Sequence, residues 1–318
     1  MTTRTLGKSG IKVSALGLGC WAVGGLAWRE GKPCGWAGVD DNESVRAIHR
    51  ALDMGVNFLD TAAVYGCGHS ERIIAKAIAG KRERLIIATK FGLPFDEEKK
   101  TAHGTQCDPE YIRASCEASL RRLATDYIDL FQLHINDSEQ GEMVREELEK
   151  LVASGKIRWY GWSTDLPDRA RIFAKGKHCA AIQHRLNVLE GNLETLKVCE
   201  ENGLASLNRS PLATGILTGK FSADSVIPKE DVRSWWNFKE GTQAEMIKKA
   251  LAVREILMTG GRTPVQGALC WLWAKSAATI PIPGFKNVKQ VEENAGALAF
   301  DPLGPGQMAE IERVLERT

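Results

Sequence analysis

FLDTAAVYGCGHSE, residues 58–71, contains the end of one apolar run and the start of an amphipathic helix, and between them it sets Asp60 and Tyr65. Two later runs have the same form: IIATKFG (86–92) carries Lys90 near its end, and IDLFQLH (128–134) ends on His134. Short apolar runs that each finish on a polar residue and pass into a helix describe β-then-α units with buried strands. Counting outward gives eight such runs: Leu16–Cys20, Val56–Asp60, Leu85–Phe91, Ile128–His134, Arg158–Ser163, Ala180–Leu186, Leu204–Asn208 and Thr279–Pro283.

The segments between them carry helix signals. Asp41 precedes Val45, Ile48 and Leu52 with Gly55 closing; Ser70 precedes Ile73, Ile74 and Ile78; Asp108-Pro109 opens the stretch with Ile112, Cys116, Leu120 and Leu123. Further helices are expected at 142–154, 168–175, 193–202, 263–276 and 287–297, and one near 241–258. An open doubly wound sheet shows the same alternation, but eight units is the number that closes a (β/α)8 barrel. The expectation is therefore one α/β domain over 1–318, entered by a hairpin (Thr3–Leu6, Ile11–Ser14), with no linker dividing it. Two excursions, Ala22–Gly38 and Thr218–Glu240, fall where a barrel keeps its active-site loops. Their tryptophans, with neighbours, make Trp21, Trp28, Trp162, Trp235 and Trp236 candidate pocket walls.

With 42 Lys+Arg against 40 Asp+Glu, the net charge of +2 gives no footprint for nucleic acid or an anionic membrane, and a small-molecule substrate is expected. Eight cysteines lie apart without a CxxC pair, and the start MTTRTLGKSG lacks a signal's apolar core, which together read as a cytoplasmic protein with reduced thiols. The longest apolar stretches, such as GALCWLWA (267–274), are too short to span a bilayer. No coiled-coil heptad or apolar stripe assigns an oligomeric state, and no His/Cys spacing suggests a metal.

Gly17-Leu18-Gly19-Cys20-Trp21-Ala22 matches the dinucleotide fingerprint G-x-G-x-x-A, with Asp40 and Asp41 about twenty residues on. That motif has to open a helix, and Val23-Gly24-Gly25 followed by Gly31-Lys32-Pro33 cannot sustain one. The informative polar residues are instead Asp60, Tyr65, Lys90 and His134. Singly each has an ordinary structural explanation, but strand ends of a barrel converge on one rim, so the four would share a pocket.

In order along the chain, FLDTAAVYGCGHSE, IIATKFG, IDLFQLH, GWST (161–164), SPLATGILTGKF (210–221) and PIPGFKNVKQVEENAGAL (281–298) resemble the motifs of aldo-keto reductases. The resemblance runs from about residue 3 to 298. It implies the barrel, an NADP(H)-dependent reduction of aldehydes or ketones, and a tetrad of Asp60, Tyr65, Lys90 and His134. Hydride delivery to a carbonyl leaves a developing alkoxide that needs a proton donor and local positive charge. Tyr65 suits the donor, with Lys90 expected to lower its pKa, Asp60 to hold Lys90, and His134 to orient the carbonyl oxygen. A Schiff-base role for Lys90 would need it unpaired.

The resemblance also implies a cofactor cradle. Ser163 and Gln183 correspond to the carboxamide contacts, with Thr164 where the family often has Asn. Arg209, Ser210, Pro211, Leu212, Thr214 and Gly215, with Lys220, correspond to the pyrophosphate segment, Arg209 standing where many members carry a stacked aromatic. Gly284, Lys286, Gln290, Glu293 and Asn294 correspond to the adenosine site, and Trp21 and Arg233 are added as neighbouring contacts. Positive charge beside a helix start favours NADP(H) over NAD(H). The alternative reading is a cofactor-sensing subunit with little turnover, as in the potassium-channel β-subunits that resemble the same family.

Overall fold

A computed structural model describes residues 3–317, so that residues 1, 2 and 318 of the expected domain lie outside the described residues. Eight strands run parallel in one sheet: β1 (Leu18–Gly19), β2 (Phe58–Asp60), β3 (Ile86–Phe91), β4 (Ile128–Leu133), β5 (Ile157–Ser163), β6 (Cys179–Arg185), β7 (Ala205–Arg209) and β8 (Thr279–Pro281). Each pairs with the strand next in sequence. The ends then meet: Gly17 N donates to Pro281 O and Gly19 N to Pro283 O, both at 2.9 Å, and a parallel bridge joins Gly19 to Gly284. That closure makes the sheet a (β/α)8 barrel and sets aside the open sheet. It also explains the false fingerprint: a Cβ on Gly19 would lie 2.6 Å from Ile282 O, so the glycine admits the closing strand rather than a pyrophosphate.

The helices are α1 (Asp41–Asp53), α2 (His69–Ile78), α3 (Pro109–Leu123), α4 (Gly141–Ala153), α5 (Pro167–Ala174), α6 (Leu193–Glu201), α7 (Gly241–Met258), α8 (Pro264–Lys275), α9 (Val288–Gly296) and α10 (Pro305–Val314). Asp108 caps α3 through Tyr111 N, and Thr263 with Gln266 forms a capping box on α8. The cap of α1 is Asp40, one residue before the expected Asp41, and α2 begins one residue before Ser70. No apolar run had announced α10.

Apolar residues form two layers. One fills the space between strands and helices, with Ile48, Ile74, Ile112, Leu148, Phe173 and Trp271 among its buried members. The other lies inside the barrel and combines Phe58, Leu130, Leu207 and Ile280 with Leu6 and Val13 of the N-terminal hairpin. The hairpin strands Thr3–Thr5 and Lys12–Ser14 pair antiparallel and close the bottom of the barrel. Burying that end leaves the strand C-terminal rim as the place for polar groups.

Two excursions form the rim. In the first, Trp28–Arg29 pairs with Lys32–Pro33 and also with Thr101–Ala102, which pairs in turn with Phe95–Asp96, giving a four-stranded rim sheet. The second, 219–240, meets the first where Val232 N donates to Gly35 O at 2.8 Å.

Candidate active site

Register brings the four expected residues together. Asp60 lies opposite Ala88 across β2 and β3, and Lys90 opposite Gln132 across β3 and β4, so consecutive strand ends point at one volume. Lys90 Nζ donates to Asp60 Oδ2 at 2.7 Å, to Thr61 O at 2.8 Å and to the Tyr65 hydroxyl at 3.3 Å. Asp60 Oδ1 accepts from Gln183 Nε2 at 2.7 Å and from Gln132 Nε2 at 3.3 Å. With Lys90 1% and Asp60 2% exposed, this is a buried ion pair whose remaining polar atoms are largely satisfied. Burial opposes the charge on Lys90, but Asp60 and Tyr65 outweigh it and hold the ammonium above its ordinary pKa.

Burial acts the other way on Tyr65. It pushes the phenol above its usual range; Lys90 pulls it down, as expected, but does not offset burial, so Tyr65 stands as a protonated donor. The loop holding Tyr65 is fixed by Gly66, at φ 60°, where a Cβ would fall 1.9 Å from Gly24 O. The Tyr65 ring lies nearly parallel to Trp21 at 6.0 Å and edge-on to His134 at 5.7 Å. Burial first, then the charges of Lys90, Arg209 and Arg29, keep the His134 imidazole well below its usual pKa, hence neutral. Its Nδ1 is buried without a partner. Cys67 is 1% exposed and its thiol is pushed up to about 11, mainly by burial, as an inert thiol would be.

A cavity of about 760 Å³, within the range of small-molecule sites, opens on Asp60, Tyr65 and His134, with Lys90 beneath them. All the expected cofactor positions line it: Trp21, Ser163, Gln183, Arg209 through Leu212, Thr214, Gly215, Lys220, Arg233, Gly284, Lys286, Gln290, Glu293 and Asn294. Several are already engaged. The Gln183 amide nitrogen is held by Asp60; Arg209 pairs with Asp165; Gln290 Oε1 accepts from Lys286 N at 2.7 Å, shaping the turn before α9. Ser210 and Thr214 hold φ of 51° and 53°, a strained backbone of the kind found at ligand clamps.

Arg233 is not a solvated surface side chain. It is 6% exposed, bidentate to Asp231 at 2.8 and 2.9 Å, with its guanidinium 4.4 Å from the Trp36 ring centroid. Lys286 Nζ donates to Ala37 O at 2.6 Å and lies 3.7 Å from Asp231. Lys220 has no carboxylate partner among the described residues, and burial and the nearby charges of Arg233 and Lys286 depress its pKa. Of these three cations two share Asp231 and, among the described residues, the third, Lys220, has no such partner, a surplus of positive charge that suits phosphate groups. The residues present fit an NADP(H) molecule.

The aromatic walls need correction. Of the five expected tryptophans only Trp21 lines the cavity. Trp162 is fully buried and donates to Ile135 O at 2.7 Å, Trp236 packs on Phe221 and Phe238, Trp235 is 71% exposed, and Trp28 is not part of the lining. Trp36, Arg29, Cys34, Leu93, Ala102 and Asn136 line it unforeseen. Most belong to the rim sheet or its flanks, whose two-residue strands leave no periodic signal.

The aldo/keto reductase family profile matches residues 15–316. The chain is 32% identical to "Probable aldo-keto reductase 1" of Glycine max over 305 residues, 92% of this chain and 83% of that protein. Among solved structures it is similar to a glycerol dehydrogenase from Gluconobacter oxydans (TM-score 0.83, 32% identity, 96% of this chain and 93% of that one). It is also similar to an aldo-keto reductase from Klebsiella pneumoniae in complex with NADPH (TM-score 0.73, 25% identity, 100% and 97%).

Proposed function

This chain belongs to the aldo/keto reductase family, and from that premise we propose that it is an NADPH-dependent reductase of aldehydes or ketones with Tyr65 as its proton donor. The observation that carries the assignment of roles is the hydrogen-bonded run from Asp60 through Lys90 to the Tyr65 hydroxyl, opening beside a neutral His134. NADPH, when bound, supplies the hydride that goes to the carbonyl carbon. Tyr65 gives its hydroxyl proton to the carbonyl oxygen as negative charge grows there, and the Lys90 ammonium stabilises the phenolate left behind. Asp60 keeps Lys90 charged and fixed. His134 orients the carbonyl oxygen by a hydrogen bond, and its neutrality prevents it from competing with Tyr65 as the acid.

Ser163 and Gln183 would hold the nicotinamide carboxamide, with the Arg209 guanidinium, pinned by Asp165, available to the ring. Ser210 to Gly215 and Lys220 would wrap the pyrophosphate. Lys286, Arg233 and the N-terminus of α9 would take the 2′-phosphate, with Gln290, Glu293 and Asn294 beside the adenine, which favours NADP(H) over NAD(H). The whole chain acts as one domain in this reading. Among the described residues no helix is long and apolar enough to cross a membrane, and all eight cysteines are unpaired, which supports a reducing, cytoplasmic setting.

The test is nicotinamide absorbance followed with NADPH and then NADH against a panel of aldehydes and ketones. Steady oxidation that is faster with NADPH supports the reading. Tight NADPH binding with no turnover on any carbonyl contradicts it and returns the sensor alternative.

A further inference from the structure

Two cations of the cavity lining are used by neither the proposed proton transfer nor the cofactor cradle: Lys289, on α9 beside the proposed adenosine site, and Arg29, on the rim. Arg29 sits in the rim hairpin, just before a turn built on Glu30 (φ 52°) and Gly31 (φ 74°). Its strand lies beside Thr101–Ala102 with Arg29 opposite Ala102, and both of these line the cavity, while Trp28 and Thr101 are not part of its lining.

The other charged groups of the cavity's reactive end are matched: Lys90 by Asp60 and Arg209 by Asp165. Arg29 is not. Among the described residues its side chain makes one hydrogen bond, to Gly104 O at 3.3 Å, and its carboxylate neighbour Glu30 stands 4.0 Å away and 80% exposed. Ala102 lies opposite it across the rim sheet, and the rim's other contributions to the lining, Cys34, Leu93 and Trp36, are apolar or nearly so. Arg29 and His134 line the same cavity, in which a carbonyl held at His134 would sit. A planar guanidinium with free donors in a partly enclosed, weakly polar wall is a receptor for a carboxylate, which it can bind bidentately.

We propose that Arg29 is a specificity-determining residue that selects carbonyl substrates bearing a carboxylate at the end remote from the reacting group. The assignment rests on the reductase reading above and deepens it. A substrate of this class would span from the Tyr65 hydroxyl and His134 to Arg29, its middle lying against Leu93, Ala102 and Trp36.

Two measurements test this on the NADPH-loaded protein. The first is the ratio of kcat/KM for para-carboxybenzaldehyde to that for para-methylbenzaldehyde. The wild type is expected to favour the carboxylate by about tenfold or more, mostly through KM. Arg29→Gln should bring the ratio near one, and Arg29→Lys should restore part of it. The second is calorimetric binding of benzoate, expected to weaken about tenfold in Arg29→Gln and with added salt. A wild type that reduces both aldehydes equally well, or a preference that survives in Arg29→Gln, overturns the proposal and leaves the reductase reading standing. Benzoate binding lost in Arg29→Gln without turnover of any aldehyde would uphold the anion site and sink the reductase reading. Failure of benzoate to bind overturns the proposal.

Discussion

Lys90 and Asp60 are worth most to this fold as a pair, because each is buried and, among the described residues, each is the other's only salt-bridge partner. Lys90→Met leaves a buried carboxylate uncompensated and is expected to cost about 3–5 kcal/mol of stability in urea unfolding. The double variant Asp60→Asn with Lys90→Met should recover much of that loss while remaining inactive. A double variant as unstable as the sum of the singles would mean the two are not coupled. His184 gives a second residue-scale expectation. It is fully buried with Nδ1 unpartnered, and burial, opposed by Asp165, brings its pKa down to about 4. The unfolded chain takes up the His184 proton near its ordinary pKa and the folded chain does not, so stability is full above about pH 6.5 and falls as pH drops toward 4. Between pH 7 and pH 5 the loss assigned to His184 is about 2 kcal/mol. A His184→Asn variant should lose correspondingly less over that interval, and an unchanged pH dependence would remove His184 as its source.

At the scale of elements, legibility followed signal length. Among the described residues the eight strands and nine of the ten helices are readable because most carry an apolar period, a cap or both; Asp108 and Thr263 are found where such caps should be. The boundary of α1 slipped by one because Asp40 and Asp41 are equally good caps by sequence. Helix α10 gives no warning: Pro302, Gly304 and Pro305 read as a turn, and its buried residue is Ile311 alone. The rim sheet escaped because two-residue strands show no alternation, and Arg29 escaped with it. Tryptophan positions misled for a different reason. Burial type does not tell which side of a loop a large ring covers, so Trp162 and Trp236 went to packing while Trp36, unremarked, reached the cavity. The crossing of the two excursions carries its own prediction. Lys286 sits at the entry to α9 and is braced by Ala37 O. Lys286→Met should weaken NADPH about tenfold while changing NADH far less, as read by titration of the nicotinamide fluorescence. Equal weakening of both would place Lys286 away from the 2′-phosphate.

The whole molecule turns four residues scattered over positions 60 to 134 into neighbours by closing eight strands, joined at Gly17 and Gly19, over a hairpin that stoppers the lower end. Its closure places the polar strand ends at one mouth, above a largely apolar core. Such a scaffold makes the site rigid and leaves its selectivity to the rim loops. The most direct measurement of the central claim is turnover and NADPH affinity in Tyr65→Phe compared with wild type. Removing one hydroxyl from a ring held by Trp21 and His134 should leave NADPH affinity within about threefold and lower kcat by about 10²- to 10⁴-fold. Turnover that survives in Tyr65→Phe with NADPH still bound would mean that the proton comes from elsewhere.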